Sequence, residues 1–205
     1  MAAAENPSPS LAPLREVIAR HGLKPRRSLG QHFLFDLNLC ARIARAAGDL
    51  SKTNVIEIGP GPGGLTRALL EAGAMRVFAV ETDGRCIEAL ADLGRAYPDR
   101  LRLIHADALE TGPVDIAPAP RAIVANLPYN IATPLLIGWL RQAQELEGMT
   151  CMFQAEVADR LAAKPSTKAY GRLSVITQWL CEVSHQFNVD KRAFTPPPRV
   201  ASSVV

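Results

Sequence analysis

VIEIGPGPGGLT, Val55 to Thr66, carries a β-branched apolar run (Val55, Ile56, Ile58) into a Gly/Pro cluster and out into a helical pattern of Leu65, Leu69 and Leu70. That order predicts a strand, a tight loop and a helix. Glycines at 59, 61, 63 and 64 allow the backbone to turn sharply and to approach a ligand without a Cβ in the way. The helix start beyond them offers unpaired N–H groups. A loop of this composition is suited to holding a ligand.

The spacing leaves the kind of ligand open. Gly59, Gly61 and Gly64 satisfy G-x-G-x-x-G, and Glu81 follows about 20 residues on, as a dinucleotide site requires. Glu57 argues for something else. A carboxylate two residues before the first glycine repels a pyrophosphate but suits a ligand that carries an ammonium and a sulfonium. S-adenosylmethionine is such a ligand, and its ribose gives Glu81 something to grip. The pattern E-x-G-x-G-x-G, Glu57 to Gly63, resembles the cofactor loop of class I methyltransferases.

Composition sets the outer bounds. The chain has 205 residues, enough for one good α/β core, and 48% of them are hydrophobic with mean hydropathy near zero, which excludes disorder as the default. No apolar run reaches the roughly 20 residues of a membrane span, and MAAAENPSPSLAP lacks the order of a secretory signal, so a cytoplasmic protein without membrane contact is expected. Cys40, Cys86, Cys151 and Cys181 are isolated from one another and from histidines, which gives no zinc or disulfide pattern, and no metal is expected. Charge is uneven. Residues 1–45 hold seven Lys/Arg against three Asp/Glu, residues 46–130 eight against eleven, and residues 131–205 eight against six. Basic flanks around an acidic middle fit a polyanion met outside a cofactor pocket of opposite sign, although ordinary solvated faces would look the same.

Along the chain, residues 1–13 are Ala/Pro/Ser-rich, Leu14–His21 reads as a short helix, and residues 24–36, KPRRSLGQHFLFD, are an odd stretch for a linker. Residues 37–47 read as an amphipathic helix. The middle then alternates: helix 63–72, strand 76–81, helix 84–96, strand 101–106, strand 122–126. This is the pattern of a mostly parallel sheet with helices on both faces. Glu81, Asp107 and Asn126 fall at or just past strand C-termini, the edge where ligands bind in open α/β sheets. Further expectations are a helix over 134–146, a strand over 149–154, a helix over 156–163, a basic loop over 164–174, a helix over 173–180, a strand over 182–189 and a last strand over 200–205. Because the sequence stops inside that apolar strand, a further C-terminal segment is expected.

Asn126-Leu127-Pro128-Tyr129 is the second informative motif, and its logic concerns an exocyclic amino nitrogen. The lone pair of adenine N6 is delocalised into the ring. If the side-chain oxygen of Asn126 and the carbonyl of Leu127 each accept one N6 hydrogen, the nitrogen moves toward tetrahedral geometry and its lone pair points outward. Pro128 stiffens the turn. Tyr129 offers a flat face for a base, worth about 1–3 kcal/mol. The methyl then passes in line from the sulfonium, and no general base is needed because the product ammonium is acidic. The base must leave its stack to react, which favours single-stranded or loop nucleotides.

The set GQHFL (30–34), EIGPGPGGLT (57–66), NLPYNIATPLL (126–136), KAYGRLSV (168–175) and FTPPPRVASSVV (194–205) resembles the KsgA/RsmA family of small-subunit ribosomal RNA adenine dimethyltransferases, over residues 24–205 and in order. The resemblance implies a class I methyltransferase fold, Rossmann-like, with a mostly parallel seven-stranded sheet. It implies that residues 24–205 form the catalytic domain; ahead of it, the Ala/Pro/Ser-rich start, for which disorder is expected over residues 1–13, leaves residues 1–23 as a flexible or weakly ordered N-terminal extension. The implied reaction converts two adjacent adenosines near the 3′ end of 16S rRNA to N6,N6-dimethyladenosine on an assembling 30S-type particle, with S-adenosylmethionine as cofactor and the enzyme acting as a monomer.

Family cofactor contacts fall on His32, Leu34, Gly59, Glu81, Asp107 and Asn126, with Glu57 and Gly61 in the loop, and Asp107 accepting from the cofactor's adenine amino group beside Ala108. Phe194 stands where relatives present a second aromatic to the flipped base, joining Asn126, Leu127, Pro128 and Tyr129 as the reacting site. His32 replaces the usual Asn of GQNFL with a titratable ring, so weaker cofactor binding at acid pH is expected. The family's small helical C-terminal domain is not among these residues, which bears on RNA docking. A methyltransferase of large-subunit rRNA or DNA, and a non-catalytic assembly or transcription factor on the same fold, are the competing assignments.

Overall fold

A computed structural model of the chain describes residues 11–205. The expectation of disorder at the start of the chain concerns residues 1–10, which lie outside the described residues, and residues that follow them. From Leu14 on the chain is packed: α1 (Leu14–Arg20) buries Leu14 and Val17, and Val17 clusters with Leu23, Phe33, Cys86 and Ala89. The extension expected to stay loose up to residue 23 is therefore part of the domain from its first helix.

The chain continues through β1 (Phe33–Leu34), α2 (Leu37–Ala46), β2 (Asn54–Ile58), α3 (Gly64–Glu71), β3 (Arg76–Glu81), α4 (Gly84–Ala96), β4 (Leu101–His105), α5 (Pro113–Ile116) and β5 (Arg121–Asn126). Then come α6 (Tyr129–Leu140), β6 (Gly148–Gln154), α7 (Ala155–Leu161), α8 (Arg172–Leu180), β7 (Phe187–Val189), β8 (Phe194–Thr195) and β9 (Ser202–Val204). Seven strands form one sheet in the order β4-β3-β2-β5-β6-β9-β7. The first five are mutually parallel, and β9 runs antiparallel between β6 and β7. β1 and β8 pair separately, Leu34 opposite Phe194.

Period-two alternation divides the core between the two faces of the sheet. Val55, Val77, Ala79, Val124 and Met152 meet Ile43, Leu69 and Leu90 of α2, α3 and α4 on one face. Ile56, Ile58, Phe78, Ile123, Ala125 and Phe153 meet Leu135, Trp139 and Leu161 of α6 and α7 on the other. Burial on both faces is why these strands are nearly continuous Val/Ile/Ala runs. Glu57 follows the same alternation as Val55, so the fold carries its carboxyl inward on the α2/α3 face.

Element boundaries shift by a residue or two in several places, and two expectations change by more. The helix placed at residues 134–146 begins at Tyr129, with Pro134 inside it, and ends at Leu140. Its buried stripe, Ala132, Leu135, Leu136, Trp139 and Leu140, starts before Pro134, so packing overrides the proline's preference for a helix start. The strand placed at 182–189 shrinks to Phe187–Val189, because its partner β9 offers only three residues to pair with. Among the described residues no helix is long and apolar enough to cross a membrane.

Leu69, fully buried between α3 and the sheet, is expected to cost about 2–5 kcal/mol when changed to Ala. Trp179 on α8, 82% exposed, should cost less than about 0.5 kcal/mol by the same change. Denaturant unfolding of both variants checks the assignment of the core.

Candidate active site

In the sheet order β3 and β5 flank β2, and the chain leaves β2 toward one side and returns on the other. The crevice at this reversal point lies off the strands' C-terminal ends. A cavity of about 330 Å³ opens there. Its wall includes His32, Leu34, Glu57, Gly59, Gly61, Glu81, Asp107, Asn126, Leu127, Pro128 and Tyr129, eleven of the thirteen residues singled out from sequence.

The glycine loop is as close-fitting as its composition suggests. Gly59 and Gly61 have φ of 68° and 54°, and a Cβ on Gly61 would come within 3.1 Å of the Phe33 ring. Glu81 at the end of β3 holds the loop: its Oε2 accepts the Gly61 N–H at 3.2 Å, and its Oε1 accepts the N–H groups of Thr82 and Asp83, both at 2.9 Å. Burial raises the Glu81 carboxyl above its ordinary range, and these N–H groups act in the opposite sense.

Glu57 is 1% exposed and its Oε2 has no hydrogen-bond partner among the described residues. Burial pushes its proton affinity up, to a pKa of about 8. Thr66 on α3 pulls the other way, though its hydroxyl forms no hydrogen bond of good geometry, and the nearby Glu81 carboxylate adds to the rise. A buried, unsatisfied carboxyl in a cavity wall is costly to keep and is satisfied best by a cationic ligand. The donor and acceptor set of the wall therefore fits a ligand with positive charge near Glu57.

GQHFL proves to be a wall of the site rather than a linker. Gln31 donates to Asp83 Oδ2 at 3.1 Å and accepts the Arg26 N–H through its Oε1. The His32 backbone carbonyl accepts from Asn126 Nδ2 at 3.3 Å. This fixes which end of the Asn126 amide is the acceptor, leaving Oδ1 without a partner among the described residues. The His32 ring donates from Nδ1 to the Pro196 carbonyl at 2.7 Å and stacks on Tyr129 at 5.5 Å between centroids. Tyr129 is pinned at the other end by a 2.6 Å hydrogen bond with Ser202. Leu127 is buried in the core with Leu135 and Leu136 of α6, which holds the turn down, and it is also part of the cavity wall.

Two of the singled-out residues lie elsewhere. Phe194 is 2% exposed and packs in the core on the α2/α3 side of the sheet; its contribution is the β8 backbone that pairs with Leu34, not a ring in the cavity. Ala108 is 8% exposed and faces the other core, while Leu109, 49% exposed, lines the cavity in its place. The cause is the Asp107 turn, in which Oδ1 accepts the Leu109 N–H at 2.9 Å. Asp83 went unnoticed in the sequence. It caps α4 by accepting the Arg85 N–H, ties Gln31 to that cap, and is held at a pKa of about 2, chiefly by the Arg85 side chain. An Asp directly before the helix-starting Gly84 was the available signal.

This strand order, with a glycine loop after β2 and acidic residues ending β2 and β3, defines a class I methyltransferase. The chain overlays a dimethyladenosine transferase from Plasmodium falciparum with a TM-score of 0.74 at 31% identity, over 84% of this chain and 62% of that one. It overlays the 23S rRNA methyltransferase ErmE with a TM-score of 0.70 at 34% identity, over 84% of this chain and 67% of that one. The chain belongs to the ribosomal RNA adenine dimethylase family, whose model matches residues 22–205. Ribosomal RNA small subunit methyltransferase A of Rhodospirillum rubrum is 64% identical over 99% of this chain and 70% of its own length. The protein of the same name from Paramagnetospirillum magneticum is 65% identical over 95% of this chain and 69% of its own. The chain thus spans about two thirds of the length of these relatives.

Between the ordinary carboxyl value of 4.5 and about 8, folded Glu57 keeps a proton that the unfolded chain has released. Stability should therefore fall as pH rises through that window and level off above it. Glu57→Gln removes this contribution, so its melting temperature relative to wild type should climb between about pH 5 and about pH 8. Parallel melting curves for the two proteins would show that the carboxyl ionises without hindrance.

Proposed function

We propose that this chain transfers methyl groups from S-adenosylmethionine to N6 of two adjacent adenosines near the 3′ end of small-subunit (16S) rRNA, giving N6,N6-dimethyladenosine. The substrate is the rRNA of an assembling 30S-type particle in the cytoplasm, and the enzyme acts as a monomer. The single observation that carries this reading is the Asn126 amide, whose Nδ2 donates to the His32 carbonyl and whose Oδ1 has no partner among the described residues, on a residue that lines the cavity together with Leu127, Pro128 and Tyr129. The names of the 64–65% identical relatives favour small-subunit RNA over the large-subunit RNA named for ErmE.

When bound, S-adenosylmethionine supplies an electrophilic methyl on a sulfonium whose positive charge is lost on transfer. The Glu57 carboxyl, in the cavity wall, would face the cationic end of that ligand. Glu81, already holding the glycine loop, accepts from the ribose hydroxyls with its remaining lone pairs. Asp107 has Oδ1 committed to Leu109 and keeps Oδ2 for the adenine amino group. His32 and Leu34 close the wall opposite the loop.

Asn126 Oδ1 and the Leu127 carbonyl accept the two N6 hydrogens of the target base and turn its lone pair toward the methyl. Pro128, at the position before α6 with φ of −59°, keeps the two acceptors in register. Tyr129, held by Ser202 and flanked by His32, gives the base a ring to stack on. Burial raises the Tyr129 hydroxyl above its ordinary value, so it stays protonated and uncharged against the base.

Asn126→Ala should lower methyl transfer to small-subunit particles on the order of 10²–10³-fold while S-adenosylmethionine still binds. Radiolabelled methyl incorporation, compared between small-subunit particles and naked large-subunit RNA, checks both the substrate and the role. Undiminished activity in the variant, or transfer to large-subunit RNA alone, would contradict the proposal.

A further inference from the structure

KAYGRLSV is the one sequence motif that the reacting site leaves unused. It contributes to a groove beside the catalytic cavity, lined by Thr133 on α6, Arg160 on α7, Lys168 and Tyr170 on the loop between α7 and α8, and Arg172 and Ser174 at the start of α8. Thr133 lies three residues after Asn130, which lines the catalytic cavity. On a helix that is about 4.5 Å of axial rise, so groove and cavity share the first turns of α6. α7 also begins where β6 ends, at the same edge of the sheet as the cavity.

The groove's chemistry is one-sided. From Arg160 to Cys181 the sequence holds four cations, Arg160, Lys164, Lys168 and Arg172, and no carboxylate. Arg160 pairs with Glu156 one turn back, whereas Lys168 and Arg172 have no ion-pair partner among the described residues, and all three are exposed. The scaffold beneath them is fixed. Ser174, fully buried, donates its hydroxyl to the Arg160 carbonyl at 2.5 Å and accepts the Gly171 N–H at 3.1 Å, which clamps the end of α7 to the start of α8. Gln178 donates to the carbonyls of Leu161 and Ala163, both at 2.8 Å, adding a second clamp. Unpaired cations on a rigid support, next to a half-buried tyrosine, suit a phosphodiester backbone with a base or sugar against the ring.

We propose that this groove holds the RNA strand flanking the target adenosine, with Lys168 and Arg172 on successive phosphates and Tyr170 against the intervening nucleoside. The inference rests on the reading of the chain as an RNA methyltransferase and adds the path by which the substrate leaves the cavity. Phosphate contacts of this kind set register without reading sequence, so they place one adenosine, and after a one-nucleotide shift its neighbour, over Asn126.

The test is the salt dependence of binding to an RNA hairpin whose loop carries two adjacent adenosines, measured between about 50 and about 200 mM salt. Lys168→Gln/Arg172→Gln should flatten the slope of log K against log salt by about 1.4, two single-strand phosphates at about 0.7 each. The same variant should keep the wild-type affinity for S-adenosylmethionine, and Lys168→Arg/Arg172→Lys should keep the wild-type slope. A slope unchanged in the glutamine variant overturns the groove alone. A wild-type chain with no affinity for the RNA at any salt overturns the function on which the groove rests.

Discussion

The constraint that the rest of the molecule answers to is the reversal of strand order between β2 and β5. Parallel strands covered on both faces leave their C-terminal ends as the place where the polar groups of the connecting loops meet. That edge positions the polar groups of the site: Glu57 and Gly59 from β2, Glu81 from β3, Asp107 beyond β4, Asn126 from β5. The remaining wall, GQHFL, comes from before the sheet and is held against it by β1–β8 pairing and by the Asn126–His32 hydrogen bond.

Glu57 links the electrostatics to the fold. A charged carboxylate at this point would repel a pyrophosphate, but the structure sharpens that argument. Full burial favours the neutral acid, so discrimination comes from what a ligand does to the proton. A cation placed near the carboxyl favours ionisation and gains a strong attraction, whereas an anion only reinforces the neutral form and gains nothing. The stability that the carboxyl withholds from the empty fold becomes selectivity for a positively charged ligand.

Much of this was legible in the sequence for a physical reason. Strands buried on both faces are rich in β-branched and small apolar residues, and a loop approaching a ligand favours glycine, so β2, β3, β5 and the glycine loop stand out in composition alone. NLPY could be read because each residue has a distinct chemical part in one small event. What was not legible depends on partners distant in sequence. The start of α6 at Tyr129 is set by a core that reaches back to Ala132. The length of β7 is set by β9, the burial of Phe194 by β1, and the placing of Leu109 rather than Ala108 at the cavity by one Asp107 hydrogen bond. Family resemblance placed an aromatic ring and an alanine at the site; local backbone direction put their side chains in the core.

The account stands or falls on the ligand of the cavity at the β2/β5 reversal, since the glycine spacing taken alone would also admit a dinucleotide. Isothermal titration of the chain with S-adenosylmethionine and, separately, with NAD tests it most directly. The account predicts saturable one-to-one binding of S-adenosylmethionine, weakened by Glu57→Gln, and no binding of NAD. Binding of NAD, or S-adenosylmethionine affinity indifferent to the loss of the Glu57 carboxyl, would contradict it.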